Sequence, residues 1–155
     1  MAIQNWIDEI IKVMGTIPSH TGGKLITYRV ASKAEIPEAL SVPPPCAIIY
    51  PTRLISAQYS MGGTCKEIWE VKGEFYLFPD IKKSNLPELI KYFKKIRDAT
   101  LASLTLGGKV DHFIFGPESM MLAVLTYEVD GSERHGIAVT WEVKSDVGSE
   151  VTIGA

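Results

Sequence analysis

The run Thr64–Phe78, TCKEIWEVKGEFYLF, decides the fold class. In it Trp69, Val71, Phe75 and Leu77 alternate with Lys66, Glu70, Lys72 and Glu74. A strand sends successive side chains to opposite faces, so this spacing predicts one dry face and one wet face. A sheet with one solvated face is characteristically antiparallel. Gly62-Gly63 precedes the run, and a second strand-like run, Leu54–Met61, precedes the glycines. Two glycines between two such runs predict a hairpin turn, because glycine takes positive φ at no steric cost.

Upstream of the hairpin, Cys46–Tyr50 (CAIIY) reads as a short apolar strand stopped by Pro51, and Leu25–Val30 (LITYRV) has the make-up of another short strand. Downstream, Asn85–Leu104 reads as a helix. Asn85 and Glu88 have capping-box spacing, and Pro87 is tolerated in the first turn. Leu86, Leu89, Ile90, Phe93, Ile96, Thr100, Leu101 and Leu104 form its expected buried stripe, and Gly107-Gly108 closes the segment. Three more strands follow at Val110–Phe115, Met120–Val129 and Arg134–Lys144, with Asp130-Gly131 in the turn joining the last two. At the other end, Ile3, Trp6, Ile7, Ile10, Ile11 and Met14 recur at helical spacing against Gln4, Asn5, Asp8, Glu9 and Lys12. Gly15 stands where a left-handed residue ends such a helix, with Pro18 just beyond. The predicted fold class is α+β: a mainly antiparallel sheet with two amphipathic helices packed on one face, in the order α-β-β-β-α-β-β-β. One domain is expected over residues 1–145, with a flexible tail over 146–155.

Composition narrows the function classes. The 155 residues are 46% hydrophobic and 22% charged, as in folded soluble domains rather than disordered chains. Sixteen Lys+Arg against eighteen Asp+Glu leave a net charge of −2, which argues against a protein held mainly by nucleic-acid phosphates or anionic lipid. No apolar run approaches the ~18 residues that cross a bilayer. The first residues, MAIQNWIDEIIK, lack the basic start of a secretory signal. Cys46 and Cys65 are then expected to be reduced, partly buried thiols in a cytosolic protein or a particle assembled there.

Chemistry-bearing motifs are sparse. Gly22-Gly23-Lys24, Gly62-Gly63-Thr64 and Gly107-Gly108-Lys109 lack the full spacing of phosphate-binding loops, and turn chemistry accounts for each. His20, His112, His135, Cys46 and Cys65 lie outside the tight spacings of zinc sites. Cys65 follows a turn and so could be exposed, but nothing in sequence ties it to Asp111 or His112. Lys82, Lys83, Lys91, Lys94, Lys95 and Arg97 form a basic cluster that reads as a solvated helix face, or else as a docking face for an acidic partner. Tyr92 stands alone among them, unlike the interleaved aromatics of a nucleic-acid stacking platform. No catalytic residue, metal or cofactor is expected. Ile55, Ala57, Tyr59 and Met61 line one side of the first hairpin strand, and Met120 and Met121 follow the turn Gly116-Pro117-Glu118-Ser119. Facing the core is the plain reading of these residues. A hairpin tip seated on a neighbouring subunit is the sharper one, since methionine suits adaptable interfaces.

The order of these pieces resembles a known family. An N-terminal amphipathic helix leads through an irregular, proline-bearing segment to Pro45-Cys46-Ala47-Ile48-Ile49-Tyr50-Pro51. A strand with Trp69 and the run GEFYLF follows, then a helix, then FIFGPESMMLAVLTYEV and HGIAVTWEV. This resembles the tail terminator proteins of long-tailed bacteriophages, small α+β proteins that form a ring, usually a hexamer, at the head-proximal end of the tail tube. The resemblance implies a structural virion protein rather than an enzyme, assembled in the host cytoplasm and located in the tail. Its implied partners are its own copies, the tail-tube protein and the head-neck connector. DNA would pass the lumen without specific binding, and no membrane is involved. The expected tube contacts are Tyr59, Ser60, Met61, Gly62, Gly63 and Thr64. The stiff segment with Ile36, Pro37, Leu40, Pro43 and Pro44 is expected to clasp a neighbouring subunit. Two other readings stand beside it: another head-tail connector or tail-completion subunit, and a small enzyme or ligand-binding domain whose site is assembled from distant residues.

Overall fold

The computed structural model describes residues 3–29, 45–59, 65–108, 110–127 and 131–146. Its elements are helix α1 (Ile3–Met14), strands β1 (Ile26–Arg29), β2 (Cys46–Tyr59) and β3 (Cys65–Phe78), helix α2 (Leu86–Leu101), and strands β4 (His112–Tyr127) and β5 (Ser132–Asp146). The strands form one sheet in the order β1-β2-β3-β5-β4. Every pairing is antiparallel except that of the short β1, which runs parallel to β2. The α+β class with a mainly antiparallel sheet and two helices therefore holds.

Two predicted interruptions are bulges rather than breaks. β2 runs straight through Pro51, and its register against β3 shifts between Pro51 and Arg53 and again between Leu54 and Ser56. Proline has no ladder donor and is tolerated where a strand has no outer neighbour or is bulged, and among the described residues β1 covers β2 only at Cys46–Ile49. The second shift also breaks the predicted alternation of Ile55, Ala57 and Tyr59, since Ala57 and Tyr59 oppose Glu67 and Cys65 while Ile55 falls in the irregularity. Likewise, 110–115 and 120–129 were expected as two strands around a turn. They are two limbs of β4, both paired with β5, with the register shift between Phe115 and Met120. With β4 counted as its two limbs, the order α-β-β-β-α-β-β-β is kept.

α1 packs over β1 and β2, and α2 over β4 and β5, on the same face of the sheet. The core under them combines Trp6, Ile10 and Met14 from α1, Leu89, Tyr92 and Ile96 from α2, and Ile49, Val71, Phe75, Phe113, Ile137 and Trp141 from the strands. Trp141 is fully buried, and its indole N–H donates to Thr100 Oγ1 at 3.2 Å. A buried indole N–H needs such an acceptor, which explains a buried threonine in the helix. Gly73 breaks the apolar row of β3 for the same ring: a Cβ there would lie 2.7 Å from Trp141 Cζ3.

The buried stripe of α2 is Leu89, Tyr92, Ile96 and Thr100. The predicted stripe is thus corrected, because Leu86, Ile90, Leu101 and Leu104 are exposed and Phe93 is half-buried. Tyr92, assigned in sequence to the polar side, turns inward instead. Its hydroxyl accepts the His20 backbone N–H at 2.7 Å and lies 2.8 Å from His20 Nδ1. Asn85 does not close a capping box. Its amide donates to Asp80 O at 2.6 Å. Gly15 is not left-handed either, and its N–H continues the helical pattern to Ile11 O at 2.8 Å. Positive φ falls instead on Gly22 and Gly23, in the tight turn that returns the chain to β1.

His20 joins this turn to the rest of the molecule. Its ring stacks on Phe78 with centroids 4.3 Å apart, and Lys95 Nζ lies 4.7 Å above the Tyr92 ring. Burial lowers the His20 pKa below its ordinary value, and Lys95 lowers it further against an opposing pull from Glu88. The folded chain thus resists protonation more than the unfolded chain, whose imidazole titrates near pH ~6.5. Stability from this group is present above that pH and is lost as pH falls through the folded pKa. The urea midpoint is expected to drop more in wild type than in His20→Gln between about pH 7 and about pH 5. Equal drops in the two proteins would contradict it.

Candidate functional site

The predicted tube contacts and clasp lie mostly outside the described residues. Ser60, Met61, Gly62, Gly63 and Thr64 do so, as do Ile36, Pro37, Leu40, Pro43 and Pro44. Tyr59 is the last residue of β2 and pairs with Cys65. Cys65 itself is not exposed. It is fully buried on the helix side of the sheet, beyond the partial burial expected of it, and the exposure that its place after a turn would allow is not realised. It is not brought to His112, because His112 opposes Lys144 on the other face. Asp111 is engaged by Lys66 at 3.2 Å. Cys46 is buried on the open face, where desolvation pushes its thiol up to about 12. Among the described residues, no three His, Cys, Asp or Glu side chains are placed to hold a metal ion. Much of the basic cluster is locally paired: Lys82 with Asp80, Lys91 with Glu88 and Arg97 with Asp98.

The open face carries a group that alternation alone had placed in water. Cys46, Ile48, Tyr50, Tyr76 and Leu125 form a second apolar cluster there. Glu74 lies among them and is only 7% exposed. Its carboxylate accepts from Tyr50 Oη at 2.9 Å and from Tyr76 Oη at 2.5 Å. Both phenols are raised above their ordinary pKa, by burial first and by the Glu74 carboxylate second. They are therefore donors at any physiological pH. Beside this triad lies a cavity of about 120 Å³, floored by Gly73 and Ala138 and bordered by Lys72, Met121 and Thr140. The notch has room for a few waters or one small polar head group. The sequence carried a trace of it in the aromatic flank of Glu74, Phe75-Tyr76-Leu77, but the partner Tyr50 depends on strand register.

The second candidate surface is the sheet margin. β4 is an edge strand, and on it Met121, Leu122 and Val124 are 51%, 44% and 52% exposed. Leu122 and Val124 oppose Ile137 and His135 and so share the helix-side face. Lys95 and Glu88 mark the α1 side of α2, through Pro18 and His20. The exposed Ile90 and Leu101 each follow a residue of the buried stripe, Leu89 and Thr100, and with Leu86 they lie on the flank of α2 away from Lys95 and Glu88. Among the described residues, exposed apolar side chains therefore follow the outer edge of β4.

Compared with models of protein families and with curated proteins, the chain matches none.

Proposed function

We propose that this chain is a structural subunit of a long-tailed bacteriophage, forming a ring, six copies in the reading favoured here, at the head-proximal end of the tail tube. There it terminates tube growth and joins the tail to the head-neck connector. The observation that carries the reading is the apolar, charge-free stretch Ser119–Tyr127 of β4, at the edge of the sheet formed by the described residues, the kind of surface that another chain covers. The order of helices and strands that resembles the terminator family supports it. Head-to-tail contacts around a closing rotation generate a ring rather than a filament. A net charge of −2 suits a lumen that passes DNA without retaining it.

Purified protein mixed with elongating tail-tube subunit is expected to give shortened tubes with an added ring at one end, seen by electron microscopy. Tubes of unchanged length without the protein at their ends would exclude the terminator role. Binding to the head-neck connector alone would assign the chain to a neighbouring position in the same structure.

A further inference from the structure

We propose that subunits join edge to edge: β4 of one copy pairs antiparallel with the open stretch of β2, Tyr50–Tyr59, in the next, so that one sheet continues around the ring. This rests on the ring reading and names its contact. Among the described residues no strand pairs with the outer edge of β4, and from Ser119 to Tyr127, SMMLAVLTY, that strand carries none of the charges that protect exposed edges, the nearest being Glu118. The other margin matches it. Among the described residues β1 covers only Cys46–Ile49, and beyond it Leu54 and Ile55 are exposed. The one charge on that stretch, Arg53, is engaged by Glu70 at 3.3 Å.

Direction and charge select the second copy and its orientation. β2 and β5 run the same way and β4 runs opposite, so a copy added in the same sense brings β2 antiparallel to β4 with both helix layers on one side. The helix beside the β4 edge, α2, carries Lys91, Lys94, Lys95 and Arg97 against Glu88 and Asp98. The helix beside the β1–β2 edge, α1, carries Asp8 and Glu9 against Lys12. Head-to-tail addition places a basic helix next to an acidic one. A two-fold β4–β4 contact would place two basic helices together, which electrostatic complementarity disfavours.

The test is sedimentation velocity on the full chain, wild type beside Val124→Lys and Leu54→Lys. Both positions are exposed, so the variants should fold, and unchanged circular dichroism and melting confirm it. Wild type is expected as rings and each variant as a monomer. An equimolar mixture of the two variants is expected as a capped heterodimer, because each retains the edge that the other has lost. Assembly lost in Val124→Lys but kept in Leu54→Lys would overturn the proposal in favour of a two-fold contact. Rings in both variants would overturn it and leave the ring reading standing. A monomeric wild type at every concentration would also overturn it, while tube capping decides the ring reading separately.

Discussion

Gly136→Ala is expected to lower stability by about 3 kcal/mol or more, or to prevent folding. A Cβ at this position would overlap Phe75 O and lie 3.1 Å from both Phe75 C and Leu125 Cδ1. The obstacle is a backbone carbonyl on β3, which is held on one side by β2 and on the other by β5. A flexible side chain could turn away, but this carbonyl moves only with the strand. The site lies beside the register shift between Tyr76 and Phe78, with Gly136 opposite Tyr76. For a chain of this size each kcal/mol moves the melting temperature by about 2–4 °C, so the loss should read as about 6 °C or more. Thermal melting by circular dichroism measures it. An alanine variant that melts with wild type would refute the close approach.

The second large effect is expected at the buried triad. Glu74→Leu removes the acceptor of two buried phenols, and each orphaned hydroxyl costs about 1–3 kcal/mol. The expected loss is about 2–6 kcal/mol, read from urea unfolding. The mechanism has its own control. If orphaned hydroxyls cause the loss, the triple variant Glu74→Leu, Tyr50→Phe, Tyr76→Phe should regain most of it, because an apolar group replaces each partner. A triple variant as unstable as the single one would show that packing around Glu74, not its hydrogen bonds, carries the stability.

The sheet was legible because alternation is a local signal. Val71, Phe75 and Leu77 face the helices as their spacing required, and in α1 Trp6, Ile7, Ile10 and Met14 do the same. Glu74 follows the rule for direction but not for solvent. It points to the face shared with Lys72, yet Tyr50 and Tyr76 enclose it. Alternation assigns a side, and burial on that side depends on which strands lie alongside. α2 shows a similar limit. Its apolar positions span more than one face, so their spacing fitted two rotations about the helix axis. The hydrogen bonds between Tyr92 and His20, 72 residues apart, accompany the rotation that leaves Ile90 outside.

The amino-acid order by itself determined the class of fold, because strand and helix periodicities are properties of consecutive residues and need no partner. It determined the absence of a large net charge as well. Only the tertiary structure decided that β2 and β4 continue past Pro51 and Pro117 with a shift of register rather than stopping there, since a bulge is tolerated only where a neighbouring strand holds both limbs. It also decided that Gly136 must be glycine, that Glu74 is enclosed, and that the apolar surplus of α2 and β4 gathers along one edge. Each of these depends on distances between residues far apart in the chain, which pairing and packing set and local sequence does not.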